Sequence, residues 1–237
     1  MRASQIVFLS LTALPLASAG CIIVADGHCT QCGSHTSWGS AHGHSVKGSG
    51  VSATETRTVT DFERVEILCG ADLTLKVGPA ALLTVSGDDN LVPKLKTEVR
   101  EKALVIEMES GSYSPKVGMK IEATVPALRG IAIKGSSNVH VSDLAGDSFT
   151  VAISGSGDAH ATGKVEHLDA SISGSGDLKL AELEARDARV QISGSGDVEV
   201  WATEALTASI AGSGDVRYKG EPKVTKSVAG SGSVAAR

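Results

Sequence analysis

At 237 residues the chain is long enough to bury a sizeable core, yet it is 41% hydrophobic and only 3% aromatic, so that core is expected to use small aliphatic side chains. Its formal net charge of −5, with no aromatic platform on which bases could stack, excludes nucleic acid as a partner, because phosphates demand a basic face. No cofactor is expected.

Residues 1–20 carry one early charge, Arg2, then an apolar run from Ile6 to Leu16 and the small residues Ala17-Ser18-Ala19-Gly20. This predicts an export signal, too short and too weakly flanked to span a membrane. The mature chain is therefore expected in the cell envelope, either periplasmic or anchored at the outer membrane. Cys21 follows Ala19-Gly20 directly, in the manner of a bacterial lipobox, and is the expected lipid-attachment residue. Ser18 stands where Leu is usual, and Ala17-Ser18-Ala19 also fits ordinary cleavage, so acylation and disulfide pairing of Cys21 both stay open. Membrane contact is expected only through that anchor.

Residues 21–55 are rich in Gly, Ser and His without periodicity and read as a spacer. His28, Cys29, Cys32 and His35 have the ligand types for zinc or copper, although Cys29 and Cys32 read first as a local disulfide or part of a solvated tail.

From 56 onward apolar and polar residues alternate, the period of half-buried strands. Val65 to Val77 has a strand, corner, strand form with Gly70-Ala71-Asp72 at the corner, and Cys69 beside it reads as a small core residue. Leu82-Leu-Thr-Val, Leu104-Val-Ile-Glu-Met and Met119-Lys-Ile-Glu-Ala-Thr-Val continue the pattern as earlier, less regular coils. One helical turn is expected at 90–96, capped by Asn90 with Pro93 in its first turn.

Four copies of Gly-Ser-Gly-Asp follow, at 155–158, 174–177, 194–197 and 212–215, flanked by the degenerate copies Gly135-Ser136-Ser137-Asn138 and Gly230-Ser231-Gly232-Ser233. Successive starts are 20, 19, 20, 18 and 18 residues apart, the signature of a chain that winds in coils. Ile153, Ile172, Ile192 and Ile210 form one apolar column; Val151, Ala170, Val190 and Ala208 form a second; Ala159, Leu178, Val198 and Val216 form a third. The predicted fold is all-β: a single-stranded parallel β-solenoid (β-helix) occupying 56–237, with coils of about 18–20 residues and Gly-Ser-Gly-Asp corners.

Gly155, Gly174, Gly194 and Gly212 are assigned to corners that need a positive φ, and Asp158, Asp177, Asp197 and Asp215 to local Asx-type bonds. Ser156, Asp158 and His160 lie close in sequence, but the Ser and Asp recur in every copy without a histidine, so no catalytic residue is assigned. A carbohydrate-active enzyme on a β-helix would need a carboxylate cluster in a cleft, whereas here the acids are turn residues or alternate outward with Lys and Arg. The aspartate column leaves a calcium- or other metal-binding repeat as an alternative. Against it, calcium-binding nonapeptide repeats use one such corner every nine residues or so, and the facing half of such a site is missing here.

The segments Val59-Thr-Asp-Phe-Glu-Arg-Val-Glu-Ile, Leu83-Thr-Val-Ser-Gly-Asp-Asp-Asn-Leu and Val125-Pro-Ala-Leu-Arg-Gly-Ile-Ala-Ile-Lys-Gly-Ser, in that order before the serial corners, resemble the putative autotransporter adhesin, head GIN domain family. The resemblance covers roughly 58–235. It implies an all-β repeat fold in a bacterial envelope domain of unknown function, and brings no catalytic residues with it. The expected function is that of a non-enzymatic adhesin or scaffold module whose outward stripe, His160, Lys179, Glu199 and Arg217, meets a protein or polysaccharide of the envelope or surface. The last coil, from Val228 to Arg237, shows no polar cap, and an uncapped end is expected to pair with another copy as a homo-oligomer.

Overall fold

The computed structural model describes residues 45–237. Its strands, in chain order, are β1 (Ser45–Lys47), β2 (Ser52–Arg57), β3 (Arg64–Ile67), β4 (Asp72–Val77), β5 (Leu82–Asp88), β6 (Leu95–Arg100), β7 (Ala103–Met108), β8 (Ser112–Ser114), β9 (Lys120–Val125), β10 (Gly130–Gly135), β11 (Val139–Gly155), β12 (Ala159–Gly174), β13 (Leu178–Gly194), β14 (Val198–Gly212), β15 (Val216–Lys219), β16 (Lys223–Gly230) and β17 (Val234–Ala236). The fold is a parallel β-solenoid of about five turns, as the repeat predicts. The export signal, Cys21 and the cluster His28, Cys29, Cys32 and His35 lie outside the described residues. Strand β1 and most of β2 fall within the stretch read as spacer, where they pair with β8 and β5.

Each long strand from β11 to β14 pairs in parallel with the next, and a register shift marks where it bends between faces, as at Val141/Leu144 in β11 against β12. The pairing stacks the apolar columns in register. Before the corners run Ile67, Ile133, Ile153, Ile172, Ile192, Ile210 and Val228; after them run Leu73, Val139, Ala159, Leu178, Val198, Val216 and Val234. All are buried except Val228, on the last coil. Burying each large aliphatic side chain contributes about 1.5–3 kcal/mol, and no coil could do so without the next.

From Gly155 onward both glycines of each corner pack too closely for a side chain, and the first also has a backbone duty. The first, from Gly135 to Gly230, has φ between +135° and +151°, a region that side chains disfavour. The second packs too closely for a side chain: a Cβ on Gly157, Gly176, Gly196, Gly214 or Gly232 would lie 1.9–2.2 Å from the carbonyl oxygen stacked beneath it. Ser137 is the exception that explains itself. It stacks over the corner of β3 and β4, where its buried hydroxyl donates to the Cys69 carbonyl and accepts from the Ala71 amide at 3.2 Å.

Upstream, the coils are less simply wound than the alternation suggests. β6 runs antiparallel to β7, and β5 runs antiparallel to both β2 and β9, so this end of the solenoid is closed by hairpin-like pairs. The expected helical turn is a 3-10 turn, Val92–Lys94, with Pro93 inside it and Leu91 rather than Asn90 at its cap. Asn90 instead accepts from the Ser49 amide at 2.9 Å and donates to the Lys47 carbonyl at 2.9 Å. Beside it, buried Asp88 accepts from the amides of Gly50 (2.6 Å), Lys116 (2.9 Å) and Val117 (3.0 Å). The Gly-Asp-Asp-Asn run at 87–90 is thus a clasp that fastens the residues after β1 to the loop after β8.

At the opposite end, Lys226 occupies the inward column otherwise held by Val151, Ala170, Val190 and Ala208. Its ammonium reaches the Val234 carbonyl across the coil, 3.4 Å away. The last coil therefore does carry a polar plug, supplied from just upstream of the Val228 to Arg237 stretch in which the sequence shows none.

Two outcomes test these packing arguments. Gly196→Ala should cost on the order of 3 kcal/mol in chemical unfolding, while Ser195→Ala, at an exposed position of the same corner, should stay within about 0.5 kcal/mol. Burial opposes the charge on Asp88, but the three amides and the neighbouring Lys116 outweigh it and hold the carboxyl below its ordinary value. Its contribution to stability is accordingly complete above about pH 4 and disappears as pH falls through the lower folded-state value. Asp88→Asn should be less stable than wild type at pH 7, with the gap narrowing on acidification; a gap that stays constant to pH 3 in thermal unfolding refutes this.

Candidate functional site

The corner aspartates do not bond their own turns. Asp158, Asp177 and Asp197 each use Oδ1 to accept from the amide of the aspartate one coil further on, at 2.8–2.9 Å, and Asp215 accepts from the Ser233 amide and hydroxyl at 2.8 and 2.9 Å. The local Asx-type bond expected from sequence is replaced by an inter-coil bond, because in-register stacking brings the next corner's N–H within reach. One oxygen of each carboxylate is thereby committed to the fold. Arg217 lies 3.5 Å from Oδ2 of both Asp197 and Asp215, which offsets their mutual repulsion. Where the ladder meets the first coil, Asn138 takes the aspartate's place and donates to Asp72 at 3.1 Å, so two carboxylates do not face each other there.

On the outer surface after the corners, one column reads Glu122, Thr74, His140, His160, Lys179, Glu199 and Arg217. All four residues of the expected contact stripe fall in it. His140 and Thr74, which sequence did not assign to the stripe, extend it towards the first coil. Two shallow depressions follow this column: one of about 370 Å3 with Asp72, Thr74 and His140 among its walls, the other of about 440 Å3 with Glu182, Glu199 and Lys219. They share His160 and Lys179 and so adjoin each other along the column. Its far end is held by Arg237, 2.9 Å from Glu199, and by Lys219, whose ammonium sits 3.7 Å from the centroid of the Trp201 ring.

His160 is not turned towards a serine nucleophile. Its Nδ1 lies 2.9 Å from Nδ1 of His140, and its Nε2 lies 3.8 Å from Glu182 Oε1. Ser156, at the corner, spends its amide on the Gly135 carbonyl at 3.0 Å. The Ser156, Asp158 and His160 grouping thus separates into a corner and the outward column.

A third depression, of about 410 Å3, has mostly apolar residues in its walls and lies at the closed end, between Leu68, Cys69, Leu91, Met108, Tyr113 and Met119. Cys69 is half-buried against the core, and burial pushes its thiol up to about 11. It stays protonated near neutrality and behaves as a small apolar residue.

The bonding of the corners predicts how they respond to substitution. Asp197→Asn keeps an acceptor for the Asp215 amide and should stay within about 0.5 kcal/mol of wild type, whereas Asp197→Ala leaves that amide unpaired and should cost about 1 kcal/mol. Excess chelator should leave the melting temperature unchanged. A calcium-dependent fall in melting temperature would show that the column needs a cation.

The geometry has relatives among solved structures. A putative adhesin from Bacteroides fragilis superposes with a TM-score of 0.68 at 23% identity, over 81% of this chain and 100% of that one. A putative lipid binding protein from Parabacteroides distasonis gives 0.51 at 26% identity, over 81% and 99%. No relative with a curated description matches. The sequence pattern of residues 61–222 matches the family described as "Putative auto-transporter adhesin, head GIN domain", to which this chain belongs.

Proposed function

We propose that the chain is a non-enzymatic adhesin or interaction module of the cell envelope, and that the outward column from His140 to Arg217, with the two depressions along it, is its contact surface. One observation carries this reading. The stacked coils align His140, His160, Lys179, Glu199 and Arg217 in a single column, and all but Arg217 line two adjoining shallow depressions. Strands about 4.8 Å apart repeat polar groups at a constant interval, which suits an extended polymer, a polysaccharide or a polypeptide strand, better than a compact substrate. Non-enzymatic action is supported by the corner chemistry: every Asp in the series is bonded into the next coil, and the one Gly-Ser-Gly-Asp corner with a nearby histidine has that imidazole directed elsewhere.

The address follows from the amino-terminal residues. In this reading residues 1–20 export the chain, and Cys21 carries a lipid that leaves the solenoid standing off the membrane. Self-association through the last coil belongs to the same proposal, as sheet-edge pairing of β16 and β17 around the Lys226 plug rather than apolar stacking of interiors.

Binding of the purified protein to intact cells and to envelope polysaccharide, measured against the variant Lys179→Ala, tests the surface. This side chain faces solvent and lines both depressions, so the variant should melt like wild type and bind at least tenfold more weakly. Equal binding by the two proteins would move the contact surface to another face, and no binding by either would remove the adhesin reading.

A further inference from the structure

His140 and His160 lie directly opposite each other on β11 and β12, paired strands of the solenoid. Their Nδ1 atoms are 2.9 Å apart, their ring centroids are 4.7 Å apart, and the rings lie within 11° of parallel. As they stand the two nitrogens form a hydrogen-bonded pair between parallel rings; what the cross-strand placement supplies is two imidazoles close enough to serve one ion, whose cis ligands in a square plane stand roughly 2.8 Å apart. A carboxylate that could complete the outer half of such a site stands nearby, beyond hydrogen-bond distance. A ligating imidazole characteristically presents its second nitrogen to a carboxylate, and His160 Nε2 faces Glu182 Oε1 at 3.8 Å. The structure therefore assigns His140 and His160 as a two-histidine site for a late divalent transition metal, Cu(II) before Ni(II) or Zn(II), with water in the remaining positions.

The chemistry balances without any redox step. In the neutral pair, one Nδ1–H donates to the other Nδ1. Metal binding needs both Nδ1 lone pairs, so that proton moves to Nε2 of the same ring, and both imidazoles become Nε2–H tautomers. In His160 this places the N–H towards Glu182. Because the rings are almost parallel, their lone pairs converge only after one ring rotates about its Cβ–Cγ bond. His140 is exposed and the His160 side chain is 30% exposed, so the rotation meets no packed core. Lys179, the next residue of the column, brings a positive charge beside the site and lowers its affinity.

This site is independent of the adhesin reading, since it concerns metal affinity rather than attachment. To separate it from the amino-terminal cluster, the full chain carrying His28→Ala, Cys29→Ser, Cys32→Ser and His35→Ala is titrated with Cu(II) and with Ni(II) by calorimetry, at a pH where imidazole is neutral. One equivalent should bind, and the Cu(II) electron paramagnetic resonance spectrum should show two equatorial imidazole nitrogens. His140→Asn or His160→Asn in that background should weaken binding at least tenfold without changing the melting temperature, and Lys179→Ala should tighten it. Unchanged affinity in the His140→Asn, His160→Asn double variant, or a spectrum with no imidazole nitrogen, would overturn the assignment.

Discussion

Everything in this molecule depends on how closely one coil's corner lies against the corner beneath it. At Gly196 the backbone approaches the Gly176 carbonyl so closely that even a Cβ would fall 2.0 Å from the oxygen, and the same contact recurs at each repeat. This approach lets the backbone ladder run through the corner instead of stopping at it. Ser156, Ser175, Ser195, Ser213 and Ser231 each donate an amide proton to the glycine carbonyl one coil earlier, at 2.9–3.0 Å. A turn that would elsewhere expose unpaired groups is satisfied by its neighbours. Widening a single corner would break those bonds and also pull apart the isoleucine column beside it.

The aspartate ladder follows from the same constraint. Once corners stack at strand spacing, the amide of the next Asp lies nearer to a carboxylate than any donor in its own turn, and the side chains bond along the rod rather than within the loop. Identical carboxylates then stack against one another, and the chain relieves the repulsion where it can. Oδ1 is used by an amide, Arg217 bridges two neighbours, and Asn138 replaces Asp at the junction with the first coil.

Repetition made the solenoid legible. Because Gly-Ser-Gly-Asp recurs at nearly constant spacing, its flanking residues can be aligned without a structure, and the columns through Ile153 and Leu178 pair just as that alignment predicts. Where repetition fails, so does the reading. Alternation in 82–108 marks strands truly, but parallel and antiparallel strands alternate alike, and the antiparallel closing of β5, β6 and β9 was hidden. Asn90 looked like a helix start because its partners, Lys47 and Ser49, are distant in sequence, as are the amides of Gly50, Lys116 and Val117 that occupy Asp88. Lys226 was overlooked because only the pairing of β16 with β14 shows that it points into the column below Ala208. His140 follows a degenerate corner, yet aligning Asn138 with Asp158 would have put it beside His160; the signal was present and weak.

The same physics that makes the corners repeat governs the outward column. Side chains stacked about 4.8 Å apart with like charges oppose coil stacking. Along this column the sequence answers by changing sign, Lys179, Glu199 and Arg217, and Arg237 adds its charge beside Glu199. His140 and His160 are the one place in that column where the same ionisable side chain occurs twice in succession. Imidazole tolerates the position because near neutrality it can be uncharged, donor on one nitrogen and acceptor on the other, so two of them can share a proton where two lysines would repel. What permits the pair to stack is also what leaves two imidazoles within hydrogen-bond distance at the surface. Stacking therefore does more than build a rod: it brings to one step of the surface two imidazoles that a turn of one ring would aim at a single ion.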